Sequence, residues 1–195
     1  MKDLVAYLWI LMPIVMAAVC NMLWVRLPFV RRINRPMDGN RCWTDGRPLL
    51  GSHKTWLGLV GMPAWSAVWM LIFSSLNARL SWASSLDLFA SARWDLPEAL
   101  VNGAVWGTGY VLAELPNSFV KRRLQIGPGQ TARGLKGIAF IFCDQADSVV
   151  GCLVTMHYFY QPSLAELLML FVLGTAIHYL TNVLLYLLGL KKQMG

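Results

Sequence analysis

The sequence predicts an all-α, polytopic membrane protein of about five transmembrane helices, with its N-terminus outside and its C-terminus in the cytoplasm. Three observations carry that reading. Only 14% of the 195 residues are charged, whereas soluble domains carry about 25%. Mean hydropathy is +0.50. Five apolar stretches, roughly 4–25, 57–76, 96–115, 137–159 and 164–188, come close to or exceed the ~20 residues a helix needs to cross hydrocarbon. One membrane domain over residues 1–195 takes up the whole length.

The first stretch starts behind Lys2 and runs apolar from Leu4 to Val25, longer than the core of a signal peptide. Val19 rather than a small residue precedes Cys20, so a retained helix is expected. The second and fifth stretches, like the first, are strong by length and hydrophobicity. The third carries Glu98 near its start and is interrupted by Gly103, Gly107 and Gly109. Pro116 lacks the N–H a helix ladder needs, so the helix is expected to end there or restart with Pro116 in its first turn. The fourth stretch holds Asp144 and Asp147.

The net charge of +7 is not a nucleic-acid signature, because the cations sit in short loops between apolar spans. Between the first two spans lie Arg26, Arg31, Arg32, Arg35, Arg41, Arg47 and Lys54; between the third and fourth lie Lys121, Arg122, Arg123, Arg133 and Lys136; the tail adds Lys191 and Lys192. Only Lys2, Arg79 and Arg93 fall on the other side. That asymmetry predicts cytoplasmic loops over about 27–56 and 116–136, and an odd number of spans. Cys20, Cys42, Cys143 and Cys152 show no CxxC pair and no spacing with histidine, which argues against a zinc site or a disulfide framework. Three of the four lie in apolar stretches, where inert buried thiols are expected.

Asp144 and Asp147 are the sharpest chemical signal. Three apart, they share one face of a helix in an otherwise apolar setting. A mid-bilayer aspartate costs roughly 2.5–3.5 kcal/mol on insertion scales, and two like charges add repulsion. A divalent cation relieves both, and Mg²⁺ favours carboxylates together with substrate phosphates. Glu114, at the inner end of the third span, is a candidate third ligand. Ser118 and the basic run Lys121-Arg122-Arg123 follow it. Alone, such a run is a topology anchor or an anionic-lipid contact; beside metal ligands it suits phosphoryl chemistry, which needs metal and fixed cations on the same phosphates.

The first loop contains two Asp-Gly turns, Asp38-Gly39 and Asp45-Gly46, then Arg47, and later Gly51-Ser52-His53-Lys54-Thr55. Turn chemistry explains the Asp-Gly pairs. The GxxxxGK[ST] spacing of a Walker motif is absent. Lys54 and Thr55 enter the second span, where a helix N-terminus can hold a phosphate. His53, His157 and His178 are scattered and are assigned no metal.

Taken together, Asp38-Gly39, Asp45-Gly46-Arg47, Gly51, Lys54-Thr55-Trp56, Gly58, Ser118-Phe119-Val120-Lys121-Arg122-Arg123 and Asp144-Gln145-Ala146-Asp147 resemble the CDP-archaeol synthase family, relatives of phosphatidate cytidylyltransferases. The resemblance covers about 36–58 and 114–151. It implies an enzyme joining CTP to a lipid phosphate with Mg²⁺ at the cytoplasmic face of the cell membrane. Asp144, Asp147 and Glu114 would hold the metal. Lys121, Arg122, Ser118 and Lys54 would form the catalytic set, and Asp45, Arg47, Thr55 and Arg123 would bind substrate. The lipid is ether- or acyl-linked on this evidence, and a homodimer stays open. The chain departs from the family pattern at Ala113-Glu114, where Gly-Asp is usual, at His53, where Asn is usual, and at Leu57, where Arg is usual. Two other readings remain at this stage: a small ion transporter or channel, and a non-catalytic membrane relative. The basic loops oppose the first, since like charge at the entrance hinders cation flow.

Overall fold

The computed structural model describes residues 2–130 and 134–190, with side chains described for 4–130, 134 and 137–190. Arg133, Lys191 and Lys192, and the side chains of Lys2 and Lys136, lie outside the described residues. The chain forms α1 (Lys2–Trp24), α2 (Pro28–Ile33), α3 (Trp56–Arg79), α4 (Ser81–Ser84), a 3-10 turn at Ser91–Arg93, α5 (Leu96–Arg123), α6 (Gly134–Met156) and α7 (Leu164–Leu187).

Four of these helices are long and apolar enough to cross a membrane: α1, α3, α6 and α7. The fifth expected span is α5, whose 28 residues extend about 42 Å at 1.5 Å per residue. Its charges and glycines keep its hydropathy down because its neighbours are protein: α5 packs mainly between α3 and α6. Lipid-facing positions elsewhere are apolar, as at Leu164, Val172, Leu180 and Leu187 of α7, each more than 60% exposed.

The glycines that weaken the third span in sequence are the seats of its packing. A Cβ on Gly103 would stand 2.6 Å from the Ser66 carbonyl oxygen of α3, and one on Gly107 would stand 2.8 Å from that of Met62. Gly109 meets Gly151 of α6 backbone to backbone. The buried Trp106 indole then donates to the Cys152 carbonyl at 3.1 Å. Close approach of this kind is how helices pack without a hydrophobic drive between them.

Two expectations change. Pro116 neither ends nor restarts the helix: α5 runs through it to Arg123, so the second polar loop starts near 124 rather than 116. The lost ladder bond is offset by side-chain bonds that residues beyond the proline make to α6, described below. The fourth span stops at Met156, and His157–Phe159 form a turn instead. Of the thiols expected to be buried, Cys152 is, Cys20 is half-buried, and Cys143 is exposed on the outside of α6.

At one end of the bundle, capping boxes start α5 (Asp95 with Glu98) and α7 (Ser163 with Glu166), the arrangement that satisfies orphan N–H groups at helix starts. The two polar loops emerge together at the opposite end, where the α1–α3 loop touches the end of α5.

Candidate active site

Asp38 organises the first loop. Its carboxylate accepts from the backbone N–H groups of Asn40 (3.0 Å), Leu50 (3.0 Å) and Gly51 (2.8 Å). Burial alone would raise its pKa, but these donors outweigh burial and hold it below the ordinary carboxylate value. Hydrogen bonds to the ionised form have that effect. Both Asp-Gly turns form as expected, with Gly39 and Gly46 at φ 55° and 74°.

Asp45, Arg47 and Arg123 come together, on each other. The Arg123 guanidinium donates to Asp45 Oδ1 at 2.6 Å and to the carbonyls of Arg47 (3.1 Å) and Pro48. Arg47 donates back to the Arg123 carbonyl. These residues, expected to bind substrate, interlock the first loop with the end of α5. Thr55 is the N-cap of α3: its hydroxyl accepts from Gly58 N–H at 3.3 Å and from the Asn34 amide at 3.0 Å.

Arg122 and Lys121 part company. Arg122 is 6% exposed and lies beneath the first loop, within 3.6 Å of a Cβ built on Gly51. Its Nε and Nη1 have no hydrogen-bond partner among the described residues, a costly state for a buried donor. Ser118 is half-buried one turn earlier.

Lys121 turns toward α6 and donates to Asp144 Oδ2 at 2.5 Å. The other Asp144 oxygen, and Oδ2 of Asp147, both accept from the Asn117 amide, at 2.6 and 2.8 Å. The two carboxylates therefore converge on one point, as their spacing implies. Glu114 is placed apart, in an ion pair with Lys54, although Asp147 lies within electrostatic range of both. Among the described residues no three His, Cys, Asp or Glu side chains gather tightly enough to ligate one ion. Asn117 escapes sequence reading because an amide beside two membrane aspartates carries no motif; its signal was position, one turn ahead of Lys121.

Two cavities adjoin these groups. A polar one is lined by Asn21, Met37, His53, Lys54 and Glu114, among others. An apolar cleft lies among α1, α5, α6 and α7, walled by residues such as Ile14, Trp106, Met156 and Leu170. Ala18 and Tyr110 belong to both. The Tyr110 hydroxyl is 3.2 Å from His178 Nε2, and Nδ1 of that ring faces the Gln145 carbonyl, also at 3.2 Å. Ser148 Oγ lies at the same distance from Nδ1, 3.2 Å, so His178 joins α5 and α6 through both ring nitrogens.

Polar groups that converge at a cavity beside an apolar cleft suit an amphiphilic substrate. Residues 1–194 match the family model described as CarS-like, CDP-archaeol synthase. The chain belongs to that family. It is thereby an enzyme, a membrane cytidylyltransferase of lipid biosynthesis. It is 33% identical to the CDP-archaeol synthase of Thermofilum pendens over 94% of this chain and 77% of that one. The corresponding protein of Thermococcus kodakarensis is 29% identical, with 81% of each chain covered. A solved intramembrane enzyme for archaeal membrane lipid biosynthesis shares the fold, with TM-score 0.60 and 24% identity over 90% of this chain and 91% of that one.

Proposed function

We propose that this family member transfers the cytidylyl group of CTP to an ether-lipid phosphate of the archaeol type, at the cytoplasmic face of the cell membrane. The relatives' names support the lipid class, and the one-sided placement of cations supports the side. The observation that carries the site is the convergence of Asp144 and Asp147 beside Lys121.

The residues fit Mg²⁺. The Asn117 amide nitrogen occupies the point on which both carboxylates bear, and two carboxylates with substrate phosphates are the ligands that ion prefers. Asp144 and Asp147 would hold it; when bound, it supplies charge neutralisation on the phosphates. In the reaction a lipid-phosphate oxygen attacks the α-phosphorus of CTP. A new P–O bond forms, the bond to the β-phosphate oxygen breaks, and pyrophosphate leaves with the electron pair. The attacking oxygen is already ionised, so no strong base is required. Lys54 and Lys121 exchange their carboxylate partners for phosphate oxygens, and Arg122 supplies donors under the first loop. Catalysis is positioning and electrostatics. The apolar cleft takes the lipid chains while Lys54 meets the phosphate.

Offering the purified protein labelled CTP with an ether-lipid phosphate and, separately, with phosphatidate tests this. A CDP-lipid from the ether lipid supports the reading. Product from phosphatidate alone overturns the lipid class, and no product from either overturns the function.

A further inference from the structure

The short helix α2 was not foreseen in the first loop, and its surface has an unusual composition. Arg26, Arg31, Arg32 and Arg35 are all exposed, and none pairs with an acid of the described residues. Between them Phe29 and Ile33 are 57% and 65% exposed, while Val30 alone points inward at 0%. Trp24, at the end of α1, stacks edge-on against Phe29 with ring centroids 5.8 Å apart. Exposed apolar side chains interleaved with unpaired arginines make a segment that lies in the headgroup layer. Its place is specific: Val25 and Met37, which flank it in the chain, both line the polar cavity that holds Lys54. The two ends of the segment therefore adjoin that cavity.

We infer that α2 and its four arginines form a docking surface for the anionic phosphate headgroup of the lipid substrate, gathering it from the bilayer beside that cavity. This rests on the reading above. Charge complementarity selects the occupant, because uncompensated guanidiniums at headgroup depth attract phosphate. The apolar residues hold the arginines at that depth, so the lipid meets them by lateral diffusion while CTP arrives from water.

The experiment uses the full chain reconstituted in phosphatidylcholine vesicles with graded mole fractions of ether-lipid phosphate. The variant Arg26→Gln/Arg31→Gln/Arg32→Gln/Arg35→Gln is expected to raise the half-saturating lipid fraction about tenfold or more, with kcat at saturating lipid and KM for CTP unchanged. The matching set of Arg→Lys changes restores the wild-type value, which separates charge from folding. An unchanged lipid half-saturation, or a shift in the CTP KM instead, overturns the inference. Native mass spectrometry in micelles doped with the lipid phosphate reads binding without turnover. If the wild type makes no product yet binds more lipid phosphate than the Gln variant, the functional reading falls and the docking surface stands. Equal binding removes the docking surface.

Discussion

One amide nitrogen of Asn117, on α5, donates to both Asp144 and Asp147 of α6, at 2.6 and 2.8 Å. It bridges two acids of like charge and ties the last turns of α5, beyond Pro116, to the neighbouring helix. Lys121 adds a second tie at 2.5 Å. The candidate active site and the continuity of α5 are therefore the same set of bonds.

Asp144→Asn and Asp147→Asn should each lower CDP-lipid formation at least a hundredfold, since removing a group that stabilises developing charge costs about 2.7–4 kcal/mol. Initial rates with labelled CTP check this. Full activity in both variants would remove the proposed mechanism.

Asn117→Ala leaves the two carboxylates facing each other without the donor they share. The variant should melt lower than the wild type in EDTA and gain more stability on adding Mg²⁺, because ligand binding to the folded state stabilises it by mass action. Thermal melts in detergent with and without Mg²⁺ measure both quantities. Equal Mg²⁺ shifts in the two proteins would contradict a metal at this point.

Asp38 gives a pH dependence with a definite sign. Its folded pKa is below the ordinary 3.8, so its contribution is fully present above that value and is lost as pH falls through the lowered folded one. Asp38→Asn should cost about 1–3 kcal/mol at neutral pH, and the gap should close under acid. Denaturant melts at pH 7 and at a series of acid pH values make the comparison; a gap that does not narrow as pH falls below 3.8 is the contrary result.

Gly107→Ala puts a methyl within 2.8 Å of the Met62 carbonyl oxygen. Overpacking of this kind costs typically 1–3 kcal/mol, so the melting temperature should fall by several degrees. The change on the exposed turn at Gly189, with nothing within 4 Å of an added Cβ, isolates the steric effect from the backbone one, because Gly189 has φ 68° and Gly107 is helical.

The spans were legible because length and hydropathy are local properties, and Asp144 with Asp147 was legible because charge in an apolar run is rare. What was hidden depends on tertiary neighbours. Gly103 and Gly107 read as weak points until α3 lies against them, and Pro116 read as a stop because the bonds of Asn117 and Lys121 to α6 cannot be seen along the chain. That Asp45, Arg47 and Arg123 touch one another across the first loop and the end of α5 cannot be seen along the chain either. Arg122 sits next to Lys121 in sequence but on another face of the helix, and only packing shows that Gly51 covers it. The six residues of α2 are too few for a periodicity to stand out.

Ala18 and Tyr110 are walls of both cavities, and this has a consequence for turnover. A molecule lying across them would keep its tail in oil while its head meets the polar groups, so the tail would not have to be lifted out for the reaction to occur. Reactant and product can differ greatly in headgroup size and still share one berth, because only the wet half of that berth has to accommodate the change.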